Sequence, residues 1–384
     1  MERIKAGIIG VGYIGISHVE AIRRIGFAEL VGVTDANTEL ARTRSAEYHI
    51  PKCYATAEEL LADPEIRVVH NCTPNNLHLE INEKIIRAGK HVFSEKPLGK
   101  DSGESGRMLE LLEKHPDIVN AVNFNYRMNP LVQEMRHRVR NGEIGAPRLV
   151  HGSYLQDWLL FDTDYNWRLE PEISGLSRCV ADIGSHWMDS VQAVTGAKIV
   201  EVCADLATIV PTRKKPLRQV ETFAVSAGGE FEEKAITTED YGAVLFRMDN
   251  GARGVFHVSQ VSAGRKCFLN FEIDGAKASL YWNQEQADQM WVGYRDRDNC
   301  LAMRNPNLMA PSGRQYTYLA AGHPEGWNDA FKNNIFAFYK FIGEGRVPGR
   351  DPADFATFAD GHYIIRLTEA ILESNEKRGW VRIS

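Results

Sequence analysis

No CxxC pair and no cluster of cysteine with histidine occurs in the 384 residues; the six cysteines stand apart, at 53, 72, 179, 203, 267 and 300. Scattered thiols in a chain this long exclude a disulfide frame and a zinc site, and they fit a reduced, cytoplasmic protein. No apolar run approaches the roughly 20 residues of a membrane span. Positive charge is not in excess either. Forty-five Lys and Arg face 51 Asp and Glu, a net charge of −6, which excludes a general grip on nucleic acid or an anionic membrane. The stretch from Met1 to Ile16 loosely imitates a secretory leader. Four glycines interrupt its apolar part and no small-x-small cleavage site follows, so it reads as mature structure.

What is present is ordinary globular material, 43% hydrophobic and 25% charged, in a length that suits two domains. Residues 1–122 alternate short apolar runs with helical patterns. Ile4–Ile9, Leu30–Thr34, Val68–Val69, His91–Phe93 and Ile118–Val122 read as buried strands. Thr56-Ala-Glu-Glu59 is a capping box that opens a short helix, closed by Asp63-Pro64. This pattern predicts a doubly wound parallel sheet covered on both faces. Residues 123–384 read as a second, α+β domain. Strands over 149–154, 199–210, 241–248, 254–261, 267–273 and 278–282 form an open, mostly antiparallel sheet, with turns at Asp249-Asn-Gly251 and Asp274-Gly275. A helix falls near 181–195, two more close the chain at 327–342 and 355–374, and 283–322 reads as a long polar loop.

Gly10-Val-Gly12-Tyr13-Ile14-Gly15 is a GxGxxG between a strand and a helix, and Asp35 ends the next strand 20 residues after Gly15. Gly10 makes the turn, Gly12 lets backbone approach a pyrophosphate, and Gly15 lets the helix pack closely on the sheet. The helix start offers free N–H groups to phosphate. A carboxylate at 35 accepts ribose hydroxyls and repels a 2′-phosphate, and no arginine follows it in Ala36-Asn37-Thr38. NAD is therefore expected over NADP, with Arg42 and Arg44 on the next helix keeping NADP open.

Two more stretches carry chemistry. Asn71–His78 and Gly89–Leu98 follow parallel strands, where such sheets place ligands, and Lys96 there would sit over a nicotinamide. An ordinary loop with a solvated Glu95–Lys96 pair is the plain alternative. In Ala181–Asp189, helical spacing puts Asp182, His186 and Asp189 on one face. A carboxylate-oriented histidine is a ready general base near neutral pH; a structural Asp–His pair fits the same spacing. A metal site is not expected, because no third ligand stands at a suitable distance along the chain.

With these residues the chain resembles the glucose–fructose oxidoreductase/inositol dehydrogenase/rhizopine-catabolism (Gfo/Idh/MocA) family over nearly its whole length. The resemblance rests on GVGYIG at 10–15, Asp35, CTPNNLH at 72–78, AGKHVFSEKPLGK at 88–100, NYRMNP at 125–130, DIGSHWMD at 182–189 and GHPEGWNDAF at 322–331. It implies a Rossmann domain, a C-terminal α/β domain, an active site between them, and dimers or tetramers formed through the open sheet. Lys96 then matches the lysine that meets the reacting hydroxyl and the cofactor, with a cis peptide expected before Pro97. His186 matches the acid/base histidine and Asp182 its neighbouring carboxylate. Thr73, Pro74, Asn75 and His78 match the loop beside the nicotinamide half, and Arg127 an arginine near cofactor and substrate. Tyr13, Ile14 and Glu95 fall inside the same cofactor motifs. One departure stands out: many members carry three glycines before the aspartate, and only Gly175 survives in Ile173–Asp182.

The implied reaction is oxidation of a secondary alcohol with NAD, or its reverse. Residues 153–168 interleave five aromatics with Asp, Asn and Gln, a composition that suits a polyhydroxylated ring. Tyr165, Trp167 and Arg168 are the pocket candidates, with Trp158 and Phe161 assigned to core or subunit interface. His323 is a further candidate, or simply a turn residue before Pro324. The expected substrate is a pyranose sugar, glycoside or cyclitol. Two alternatives stay open: an NAD-dependent glycosidase working through transient oxidation, and a non-catalytic dinucleotide-binding regulator.

Overall fold

The computed structural model describes residues 3–217 and 230–383; Met1 and Glu2 of the leader-like run lie outside them. Two compact units result, each made of two stretches of chain. One is Met1–Asn125 with Asn328–Ile365; the other is Tyr126–Trp327 with Arg366–Ser384. A cut at residue 122 misses this interleaving, since 328–365 joins the first unit.

The first unit holds strands β1 (Ile4–Ile9), β2 (Ala28–Thr34), β3 (Lys52–Cys53), β4 (Val68–Asn71), β5 (His91–Ser94) and β6 (Asn120–Val122). They pair in parallel in the order β3-β2-β1-β4-β5-β6. β3 is too short to show as a strand in the sequence. The order reverses between β1 and β4, the switch point where open α/β sheets bind ligands beyond their carboxyl ends. The capping box forms with a small shift: Thr56 Oγ1 accepts from the Glu59 N–H at 3.2 Å, while Glu59 reaches back to the Ala55 N–H at 3.0 Å.

Helix Trp327–Gly343 explains the interleaving. Its aromatic face packs on the parallel sheet: Phe331 lies 4.9 Å from the His18 ring and Phe338 5.3 Å from Phe93. Tyr339 Oη stands 2.9 Å from His70 Nε2, and Asn334 donates to Asn123 Oδ1 at 3.0 Å. An antiparallel bridge from Val122 to Ala356 adds to the β6 edge.

This unit buries neutral histidines. Burial pulls His91 from its ordinary 6.5 down to about 4, and its Nδ1 accepts the Val119 N–H at 3.1 Å. Burial also lowers His70, far below the usual range, and His78. The unfolded chain binds protons below about 6.5 and the folded unit does not, so stability is full above that pH and falls as pH drops toward 4. Urea midpoints are expected to decline across pH 6.5–4. His91→Gln should flatten part of that slope; an identical slope in the variant would remove His91 as a contributor.

The second unit is built on strands β7 (Pro147–Leu155), β8 (Ile199–Ala207), β9 (Thr212–Pro216), β10 (Phe231–Ala235), β11 (Tyr241–Met248), β12 (Arg253–Ser259), β13 (Phe268–Gly275), β14 (Ser279–Asn283), β15 (Gln289–Gly293), β16 (Cys300–Met303) and β17 (Val381–Arg382). Nine of them form one sheet, β16-β15-β14-β13-β7-β12-β11-β8-β17, antiparallel except for the β12–β7 pair. β9 and β10 make a separate two-stranded ribbon. The stretch 283–322, expected as loop, contributes β15 and β16. In β15, Met290, Trp291 and Val292 form a three-residue apolar run with Met290 and Val292 buried, too short to stand out in so polar a stretch.

Candidate active site

In the first unit the glycine turn has the geometry its sequence requires. Gly10 has φ +95°, and a side chain there would reach within 2.7 Å of the Cys72 carbonyl oxygen; one at Gly15 would lie 2.2 Å from the Gly10 carbonyl oxygen. A Cβ on Gly12, by contrast, would meet nothing within 4 Å. That open approach lies at the start of helix Tyr13–Arg23, whose early N–H groups face the same end. Tyr13 is exposed and Ile14 half-buried. Asp35 is fixed by the Val11 and Asn37 N–H groups, both at 2.8 Å, one on each carboxylate oxygen. Each oxygen keeps a second lone pair for a ribose hydroxyl. These residues fit a dinucleotide. Asp35→Ser is expected to raise the NADP/NAD affinity ratio, read by fluorescence titration; an unchanged ratio would show that Asp35 does not read the ribose.

The 72–78 loop and the lysine loop belong to one structure. His78 is buried, its Nδ1 2.6 Å from the Pro97 carbonyl oxygen and its Nε2 2.9 Å from that of Thr73. Its role visible here is to tie the two loops together, with its ring turned inward. Thr73 Oγ1 donates to Asn71 Oδ1 at 2.7 Å, Pro74 is exposed and Asn75 buried. The Lys96–Pro97 peptide is cis. Glu95 points into the interior: its Oε1 lies 2.9 Å from His18 Nε2 and accepts from Asn123. Burial alone would push this carboxyl up; His18, Asn123 and the Lys96 charge outweigh it and hold it below the ordinary value. Sequence spacing does not pair residue 18 with residue 95, so this anchor was not visible beforehand.

In the second unit Asp182 lies in a π-helical turn, Val180–Gly184, that runs into helix Ser185–Thr195. Such turns are rare and recur at functional sites. The Glu239 carboxylate receives the N–H groups of Arg178 and Val180, both at 3.0 Å, and the Ser177 hydroxyl at 2.6 Å. Trp187 anchors the helix to the sheet, stacked on Phe256 at 4.5 Å and donating to the Asn270 carbonyl oxygen at 2.9 Å. Asp189, read as sharing the face of Asp182 and His186, holds Arg127: the buried guanidinium grips it through Nε at 2.9 Å and through Nη2.

Contacts trace a ring of side chains. The Tyr126 ring meets His186 edge-on at 4.9 Å, and its hydroxyl lies 2.8 Å from that of Tyr154. Gln156 donates to Tyr154 Oη at 3.4 Å and accepts from Trp158 Nε1 at 2.7 Å. Trp158 and Trp167 flank the Arg168 guanidinium at 5.8 and 4.3 Å, and Arg168 Nε lies 3.6 Å from Asp182 Oδ1. The backbone joins the two ends, since the π-helical turn that holds Asp182 runs into the helix that carries His186 four residues on. Burial, the largest cause, pushes both phenols well above 10, so they remain protonated. Tyr126, Tyr154 and Gln156 were not singled out in the sequence, although Tyr126 sits beside Arg127 in NYRMNP.

Tyr165, Trp158, Phe161 and His323 divide between core and surface. Tyr165 donates to Glu170 at 2.5 Å and packs on Leu159, Leu169 and Ile236. Trp158, assigned to core or interface, packs on the same cluster and also reaches Arg168. Phe161 is exposed. His323 is exposed in a turn whose carbonyl oxygen is held by the buried Arg304 guanidinium.

A parallel sheet with this glycine turn, together with a second unit on a mostly antiparallel sheet, marks an NAD-binding oxidoreductase. Residues 4–124 match the model of the oxidoreductase family with NAD-binding Rossmann fold, and 132–281 that of the GFO/IDH/MocA C-terminal domain. The chain belongs to the Gfo/Idh/MocA family of oxidoreductases. It is 28% identical to levoglucosan dehydrogenase of Pseudarthrobacter phenanthrenivorans, over 100% of this chain and 99% of that protein. It is 24% identical to myo-inositol 2-dehydrogenase of Thermotoga maritima, over 99% and 98%. A solved structure of levoglucosan dehydrogenase with NADH and levoglucosan superposes with TM-score 0.88 at 28% identity, over 100% of both chains.

Proposed function

We propose that the chain is an NAD-dependent dehydrogenase that oxidises a secondary hydroxyl of a pyranose sugar, glycoside or cyclitol to a ketone, or runs the reverse reduction. The ring of His186, Tyr126, Tyr154, Gln156, Trp158, Arg168 and Asp182 carries the reading: an imidazole, flat aromatic faces for C–H bonds and polar groups for hydroxyls meet in one place. Arg168 Nη1 is buried without a hydrogen-bond partner among the described residues, which leaves a donor for a ligand oxygen. Relatives named for levoglucosan and myo-inositol support the same substrate class. Bound NAD supplies the hydride acceptor. His186 takes the hydroxyl proton and Asp182 orients it, while the Lys96 ammonium stabilises the developing oxyanion.

The homo-oligomer proposal, a dimer or tetramer, draws on Leu149, Leu245, Val255, Leu301 and Met303, large apolar side chains exposed on the nine-stranded sheet. Six free cysteines fit a cytoplasmic location, and no helix among the described residues is long and apolar enough to cross a membrane. The test is absorbance at 340 nm with a panel of sugars, anhydrosugars and inositols and either NAD⁺ or NADP⁺. Net reduction of NAD⁺ is the expected result. Glycoside cleavage without net reduction would replace the reading with a hydrolase, and tight NADH binding with no turnover would replace it with a regulator.

A further inference from the structure

Behind Asp182 runs a buried polar chain that the proposed chemistry does not use. Asp240 has no exposed side-chain surface and receives two guanidinium groups that are equally buried. Arg178 donates to its Oδ1 through Nη2, and Arg213 donates to the same oxygen at 3.1 Å; the other oxygen accepts the Val210 N–H at 2.8 Å. Arg178 further donates through Nη1 to Gln260 Oε1 at 3.3 Å, and Gln260 Nε2 donates to Asp182 Oδ2 at 3.0 Å. Gln260 is itself fully buried.

The direction of this chain follows from donors and acceptors alone. A guanidinium can only donate, so the group of Gln260 that meets Arg178 is the carbonyl oxygen. The amide must then turn its N–H toward Asp182. An Asp182 oxygen is thereby offered a hydrogen bond that favours its ionised form and fixes its plane. Backbone bonds hold the glutamine in place as well: its N–H donates to the Asp240 carbonyl oxygen at 3.0 Å, and its own carbonyl oxygen accepts the Leu159 N–H at 3.2 Å. Arg168 on the aromatic stretch faces Asp182 at 3.6 Å, the buried Cys179 thiol lies within reach of its charge, His186 follows four residues on, and Gln260 is the neutral donor between the buried cation and the carboxylate.

We infer that Gln260 is a positioning residue that sets the orientation and charge of Asp182 for the His186 proton transfer, with Arg178 and Asp240 as its fixed support. The inference rests on the dehydrogenase reading above. Gln260→Glu keeps the shape and still accepts from Arg178, but it sets a carboxylate against the Asp182 carboxylate. Two such groups cannot both ionise freely, so one holds its proton to higher pH. The acid limb of the kcat/KM profile should move up by about one unit or more, and kcat at pH 7 should fall by about 10–100-fold. NADH affinity should stay at the wild-type value. Gln260→Met removes the donor without adding charge; it should lower kcat more than it raises KM and leave the acid limb closer to wild type than Gln260→Glu does.

Wild type and His186→Ala are measured alongside. If His186→Ala is inactive while Gln260→Glu shows wild-type kcat and an unmoved acid limb, the positioning role is overturned and the dehydrogenase reading stands. If Gln260→Glu and Gln260→Met lose activity equally, with no shift in pH profile, the residue is structural filler and the inference fails. A wild-type protein that turns over no polyol removes the reading and this role with it.

Discussion

His186→Ala and Lys96→Met are each expected to lower kcat by about 10²–10⁴, the range lost when a proton-transfer or charge-stabilising group is removed. NADH affinity should change little, since the proposed dinucleotide contacts are those of the glycine turn and Asp35. Neither substitution should abolish folding. His186 is buried, but its helix is anchored by Trp187 and Ser190, the latter donating to the His186 carbonyl oxygen rather than to its ring. Lys96 is half-buried, and its loop is held by the Glu95 carboxylate and by His78 rather than by the ammonium. Single-turnover and steady-state rates with the best substrate check both variants. Wild-type kcat in either would strip that residue of its role.

Asp240→Asn should destabilise the protein by about 3–5 kcal/mol, the usual loss when one partner of a buried ion pair is removed. Two cations share this one carboxylate with no exposed side-chain surface on any of the three. Burial, the dominant effect, already lowers the Arg213 pKa, and Asp240 opposes it. An asparagine cannot return that compensation. The remaining Arg213 bonds, to the carbonyl oxygens of Leu159, Phe161 and Asp164 at 2.8, 2.7 and 3.2 Å, are to dipoles and not charges. Urea denaturation read by tryptophan fluorescence measures the change. A shift below about 1 kcal/mol would mean that water or local rearrangement neutralises the arginines without Asp240.

Local pattern carried a large part of the fold and some of the site. The GxGxxG, Asp35 and the capping box act within a few residues of themselves, so spacing alone could place them. Asp182 and His186 share a helix and were legible for the same reason, although the π-helical turn beneath Asp182 was not. The pairings that were not legible join positions far apart in sequence. His18 with Glu95, Arg127 with Asp189, and Arg178 and Arg213 with Asp240 become neighbours only once strands are ordered. The aromatic stretch shows the limit well. Its composition suited a polyhydroxylated ring, but Trp158 and Tyr165 both pack on the small cluster of Leu159, Leu169 and Ile236, and only the folded chain decides that Trp158 also faces Arg168. Helix 327–343 was found, yet its partner sheet was misassigned, because an apolar face does not declare what it will cover.

The return of residues 328–365 to the first unit has a consequence for synthesis. A nascent chain emerging from the ribosome completes all six strands of the parallel sheet by residue 122, but the rings of Phe331, Phe338 and Tyr339 that cover it arrive some two hundred residues later. Until then His18 of the first helix meets His70 and Phe93, and the rest of that face is a sticky half-built layer of the sort that chaperones shield. A clone ending at Asn125 would freeze that stage permanently, and a minimal dinucleotide-binding fragment would have to splice the late segment back on.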